Sequence, residues 1–140
     1  MENKIGLAKN KFSQTDRKIS DNAAAKYLGK TVVPGILFIT SYTPRQCGIA
    51  TYSHDLITAI NNKFSNAFNI SIAALESKNE KHEYNETVKH ILDTDNQYSY
   101  RELAKKINNN QSLQLILIQH EFGLFRNNEA DFLRLLENIL

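Results

Sequence analysis

Two stretches of this chain carry the residue types that site chemistry requires, PRQCGIATYSHDL at 44–56 and QHEFGLF at 119–125. In the first, Gly48 stands where a loop enters a helix. The backbone N–H groups of Gly48, Ile49 and Ala50 then lack intrahelical acceptors, and such an N-terminus favours an anion, a phosphate above all. One glycine makes neither the dinucleotide GxGxxG pattern nor the GxxxxGK[ST] loop, so a plain turn that lets the chain bend into a helix is the competing reading. In the second stretch, His120 and Glu121 fall at the end of an apolar run, with Gly123 supplying a turn. A histidine there can donate a hydrogen bond to a hydroxyl or phosphate, or help a charge develop. Glu121 can accept hydroxyl hydrogen bonds or pair with Arg45. A structural His-Glu pair capping the strand is the alternative.

The remaining polar candidates offer less. His54 and Asp55 fall on the expected first helix, and His82 and His90 lie in a charged, exposed-looking stretch; all four read as surface residues. The spacing of His82, Glu83 and Glu86 does not enforce convergence on a metal, and neither a metal nor a cofactor is expected. Cys47 lies near a helix N-terminus without a base partner, so packing or loop structure is its expected role. As a single cysteine it rules out an intrachain disulfide and is compatible with a reducing compartment.

The elements that must position these residues follow from periodicity. Residues 36–40 (ILFIT) form a short β-rich run between Pro34 and Pro44. Ile49, Tyr52, Leu56, Ile60 and Phe64 recur at steps of three and four, the mark of an amphipathic helix. Residues 68–75 (FNISIAAL) are expected as a second strand and 87–92 (TVKHIL) as a third, more exposed one. Tyr100, Leu103, Ala104 and Ile107 mark a second helix that stops at Asn108-Asn109-Asn110. Residues 113–118 are expected to be the most buried strand, and 129–140 a third helix with a broad apolar face. Strand, helix, strand, strand, helix, strand, helix predicts a mostly parallel α/β sheet, Rossmann-like, with helices on its faces.

With 140 residues there is room for one domain. Residues 1–34 form a flexible or weakly helical leader in this reading, and 35–140 a partial Rossmann-like domain. The sequence stops on an apolar helix without a closing strand, so a fragment or truncated product is expected, although helices do end natural chains. The net charge of +2 is uneven: residues 1–34 hold seven Lys/Arg against three Asp/Glu, and residues 35–140 hold ten against twelve. The basic charges of the leader are scattered and lack interleaved aromatics, so a solvated tail is expected and nucleic-acid binding is not. No apolar stretch approaches the ~20 residues of a transmembrane helix, and the N-terminus has neither a secretory core nor a transit-peptide composition. A cytoplasmic location is expected. The Asn-x-Ser/Thr triplets at Asn69, Asn85 and Asn110 would matter only in a secreted protein.

Taken together, PRQCGIATYSHDL after the first strand and QHEFGLF after a later one resemble the group-1, family-four glycosyltransferases, enzymes of two Rossmann domains in the GT-B arrangement. The resemblance covers roughly residues 36–136 and is specific in those two blocks. It implies transfer of a sugar from a nucleotide-sugar donor, with retention of configuration, to a glycan, a lipid-linked acceptor or a small metabolite. By the resemblance, Gly48 and its neighbour Ile49 would approach the donor phosphates, Arg45 and Gln46 would line the same mouth, and His120 would lie against the transferred sugar as the catalytic candidate. Glu121, Phe122 and Gly123 would hold the second loop. The donor-binding domain of that family, with its Glu-rich motif, has no counterpart in these residues; a complementary C-terminal domain would have to supply it. Arg126-Asn127-Asn128 also replaces the glycines that the family more often carries.

Two further classes fit the element order. A non-catalytic Rossmann-like module could dock a partner through its sheet edge and last helix. A receiver-like signalling domain would need an acidic cluster after residues 36–40, which is not there.

Overall fold

The computed structural model describes residues 33–65, 67–120, 123, 125 and 128–139. They form an α/β domain: β1 (Gly35–Thr40), α1 (Gly48–Phe64), β2 (Asn69–Glu76), β3 (Val88–Asp93), α2 (Gln97–Asn108), β4 (Leu113–Ile118) and α3 (Glu129–Glu137). The four strands make one all-parallel sheet in the order β3-β2-β1-β4. This is the Rossmann-like layering that the alternation of strands and helices predicts. The expected leader up to residue 32 lies outside the described residues.

Alternation along each strand sorts the core into two layers. Ile36 and Phe38 of β1 join Ile72 and Ala74 of β2 beneath Ile57 of α1. Leu37 and Ile39 join Ala73, Leu75 and Leu92 beneath Tyr100, Leu103 and Ile107 of α2 and Phe132 and Leu135 of α3. A strand covered on both faces can be apolar throughout, and β1, GILFIT, is buried at all six positions. Gly35 is where β4 comes closest. A Cβ there would stand 3.0 Å from the Ser112 carbonyl oxygen, which already accepts from the Gly35 N–H at 2.7 Å.

The structure corrects one expectation about burial. The run 113–118 is not the most buried strand: β4 is an edge, none of its six residues is fully buried, and Leu115 is 52% exposed. β1 and β2 occupy the centre instead. Composition could not separate these cases, because an apolar strand reads alike at the centre and at an edge. Asparagines account for much of the loop geometry: Asn96 caps α2 by accepting from the Tyr98 N–H, and Asn85 and Asn110 close short turns onto Thr87 and Ser112.

Candidate functional site

Strand order reverses direction at β1: the chain steps outward to β2 and β3, then returns to place β4 on the other side of β1. In open α/β sheets ligands bind at such a switch point, outside the carboxyl ends of the strands. Both chemistry-bearing segments leave the sheet there.

The junction is held by a polar brace. Thr40, the last residue of β1, turns its hydroxyl toward α1, where it lies 2.6 Å from Ser53 Oγ and 2.7 Å from Gln119 Oε1. Ser53 Oγ also lies within hydrogen-bond reach of Gln119 Oε1 and, at 2.7 Å, of the Ile49 carbonyl, and its single proton serves one of these acceptors at a time. The Gln119 N–H donates to Ile39 O at 3.1 Å. Thr40 and Ser53 are fully buried. The end of β1, the first turns of α1 and the exit of β4 are thereby tied through side chains, in a place where leaving a hydroxyl unpaired would cost about 1–3 kcal/mol.

In front of that brace lies an open concavity of about 630 Å³, lined by Gly48, Ile49 and Tyr52 of α1 and by Ile118, Gln119 and His120. Cys47 is the N-cap of α1, its Sγ accepting from the Ala50 N–H at 3.4 Å. Cys47 is therefore a cap, as its expected loop role implies. Gly48 is exposed, and the first turn of α1 holds no acidic residue that would oppose an anion. Across the mouth, His120 is exposed, and its ring stacks on Phe125 at 5.4 Å and on Phe132 at 5.7 Å between centroids. Phe125 and Phe132 stack on one another at 3.9 Å. The histidine thus rests on an aromatic shelf while its polar edge remains wet. Gly123 follows with φ of 79°, a backbone conformation that glycine adopts without strain.

Of the candidates, the fold brings Gly48, Ile49 and His120 to one mouth. The Arg45 guanidinium pairs with Glu80, in the loop after β2, at 2.9 Å; the other expected partner, Glu121, lies outside the described residues. Gln46 is exposed and is not among the residues lining the concavity. Glu121 and Phe122 lie outside the described residues. His54 is exposed as expected, but its Nδ1 lies 3.3 Å from the hydroxyl of Tyr42, whose own pKa is raised by burial. His82 and His90 are half-buried, which corrects the expectation of exposed side chains. Burial, helped by Lys106, lowers the pKa of His90.

A second polar cluster escaped the sequence reading. Glu76 ends β2 almost completely buried, accepts from the His82 N–H at 2.8 Å, and has the Lys81 ammonium 3.8 Å away. The Tyr84 hydroxyl shares this carboxylate's surroundings. Burial first, then the negative charge of Glu76, push the Tyr84 hydroxyl up to about 12, with Arg45 acting in the opposite sense. The available signal was a glutamate closing an apolar run just before a loop rich in charge. No set of three or more His, Cys, Asp or Glu among the described residues could hold a metal ion. No helix among them is long and apolar enough to cross a membrane.

Comparison with protein-family models, curated proteins and solved structures returned no match for this chain.

Proposed function

We propose that the chain is the acceptor-side part of a retaining glycosyltransferase, which transfers a sugar from a nucleotide-sugar donor to a glycan or lipid-linked acceptor. The observation that carries this is the facing pair at the switch point: the uncapped N–H groups of Gly48 and Ile49 on one wall of the concavity, and the shelf-mounted His120 on the other. The α1 N-terminus suits the negative charge that gathers on a departing diphosphate, and His120 suits a hydrogen bond to the sugar as it passes through an oxocarbenium-like state. The Thr40–Ser53–Gln119 brace supports the reading because it fixes the distance between the two walls. Both blocks of the resemblance, around Gly48 and His120, fall at this mouth. A donor-binding partner domain supplies the opposite half of the cleft, so the chain alone is expected to transfer no sugar.

The test is a protein-observed NMR titration with a nucleoside diphosphate and with its hexose conjugate. Binding at this mouth moves the amide signals of Gly48 and Ile49 and the ring signals of His120. Shifts elsewhere, or none, count against the assignment. Steady turnover of a nucleotide sugar in proportion to the amount of isolated chain would overturn the half-cleft reading.

A second reading, a non-catalytic interaction module, is favoured by one observation, the half-exposed strand β4, whose outer edge pairs with no strand among the described residues.

A further inference from the structure

We propose that Asn128 is a positioning residue for His120, holding in place, through Phe125 and Phe132, the aromatic shelf on which the imidazole lies. The inference rests on the role of His120 proposed above and names what aims its ring. His120 is exposed at the exit of β4, and the contacts that orient its imidazole are ring stacks, at interplanar angles of 23° to Phe125 and 29° to Phe132. A stacked ring is only as definite in direction as the faces beneath it. Those two faces come from different segments, the loop after β4 and the helix α3, yet they lie nearly parallel at 14°. Phe125 is also tilted against the Tyr100 ring of α2, 6.5 Å between centroids.

Asn128 joins the two segments. Its N–H donates to the Phe125 carbonyl at 2.9 Å, and its own carbonyl accepts from the Phe132 N–H at 3.1 Å. Almost any residue could make those backbone bonds, so the side chain is the informative part. Asparagine at a helix N-cap ordinarily turns its side-chain oxygen back onto the first turn. Asn128, the N-cap of α3, makes no such bond; its Nδ2 donates instead to the Thr94 carbonyl at 2.6 Å, across 34 residues of sequence.

Thr94 is a fixed point. It is buried, and its N–H and hydroxyl both donate to the Glu76 carbonyl at the end of β2, at 2.8 and 2.9 Å. The Thr94 carbonyl accepts from the Tyr100 hydroxyl at 3.2 Å as well as from Asn128, so both of its lone pairs are engaged. The shelf is thereby tied to the ends of β2 and β3, not to β4, whose residues are only partly buried. With Gln119 held in the brace, the segment that carries His120 is anchored at both of its ends.

NMR of the whole chain tests this, because protons above a phenyl face are shielded and the His120 ring signals therefore report the stack without any ligand. Asn128→Ser and Asn128→Asp both keep a preferred N-cap for α3; the first is too short to reach Thr94, and the second, ionised, offers its carbonyl no donor. Each should move the His120 ring signals toward those of a free histidine, with circular dichroism unchanged. Phe132→Leu, which keeps apolar bulk and removes one face, should move them the same way. Leu133→Ala, at an exposed position of the same helix, should leave them in place. At the mouth, Asn128→Ser should weaken binding of the probes UDP-glucose and GDP-mannose by about two- to tenfold, the range of one net hydrogen bond. Affinity for UDP and GDP should stay unchanged, since His120 is assigned to the sugar; a merely structural role would lower both together. Unmoved His120 signals in the folded Asn128 variants, or equal losses for both kinds of probe, overturn the proposal. If the parent chain binds no probe at the mouth, the transferase reading alone is lost, and the ring signals still decide for or against the positioning role.

Discussion

β1 and β4 are neighbours, parallel, six residues long and almost identical in character, GILFIT against LQLILI. Yet β1 is buried at every position and β4 at none. Their difference lies entirely in what stands on the far side: β1 has β2, and β4 has open space among the described residues. An apolar run thus records what a strand is able to pack against, and position in the sheet decides how much of that packing occurs. The candidate site follows the same division. The interior strand anchors the mouth through Thr40, while the edge strand supplies the wetter wall through His120.

The largest effect should separate the two strands by mutation. Phe38 is fully buried and Leu115 is half-exposed. Phe38→Ala should therefore cost about 3–5 kcal/mol of unfolding free energy, because it removes a large side chain and leaves a cavity. Leu115→Ala should cost under about 1 kcal/mol, since most of the area it deletes is already in water. Urea unfolding of dilute protein measures both. Equal losses would abolish the distinction between the strands.

A smaller loss is expected where the two strands are joined. Gln119→Leu keeps the volume but deprives the Thr40 and Ser53 hydroxyls of their common acceptor. Both hydroxyls keep a backbone acceptor, Thr40 the Ser41 carbonyl and Ser53 the Ile49 carbonyl, so the expected cost is about 0.5–1.5 kcal/mol, accompanied by NMR shift changes at Thr40, Ser53 and Ile49. A variant as stable as the parent, with those signals unmoved, would show that the brace does not tie β4 to β1.

How much of this was legible in the sequence differs between the two strands for a physical reason. Element order, the α1 face from Ile49 to Phe64 and the polar stop of α2 at Asn108 all follow from local periodicity and capping. The meeting of Gly48 with His120 follows from the rule that active loops leave parallel strands at their carboxyl ends. Edge against centre is not local, because it depends on which strand pairs with which, so the apolar run 113–118 reads as more buried than the strand is. The Thr40–Ser53–Gln119 brace and the Glu76–His82–Tyr84 cluster were invisible for the same reason: each joins residues that only strand register brings together. Ser53 inside an amphipathic helix and Glu76 at the end of an apolar run were polar residues at apolar positions, and that mismatch was the one sign available.

The two edges can be contrasted through pH. His90 on β3 is half-buried, its Nδ1 finds no hydrogen-bond partner among the described residues, and burial holds its pKa below the usual 6.5. The folded state therefore resists protonation that the unfolded chain accepts. As pH falls below about 6.5 the unfolded state binds more protons, and stability declines until the lowered native pKa is passed. His90→Leu should remove this part of the pH dependence, and Leu115→Ala should leave it in place. Denaturation midpoints from pH 8 to pH 5.5, about the range in which an unperturbed histidine titrates, show the difference. An unchanged slope in His90→Leu would locate the titration elsewhere.

The smallest effect concerns the cap that turns the exit of β1 into α1. Cys47 accepts from the Ala50 N–H through a sulfur at 3.4 Å, a weaker acceptor than an oxygen. Serine is among the preferred N-cap residues, with an oxygen that reaches the same N–H. Cys47→Ser should thus raise stability by roughly a few tenths of a kcal/mol, while Cys47→Ala should lower it by a similar amount. Both changes act on a helix start that belongs to β1, so neither should alter exchange protection of the β4 amides. If Cys47→Ser instead destabilises the protein, the thiol is held by packing against its neighbours, and the capping bond to Ala50 is incidental to the turn that aims Gly48 and Ile49 at the mouth.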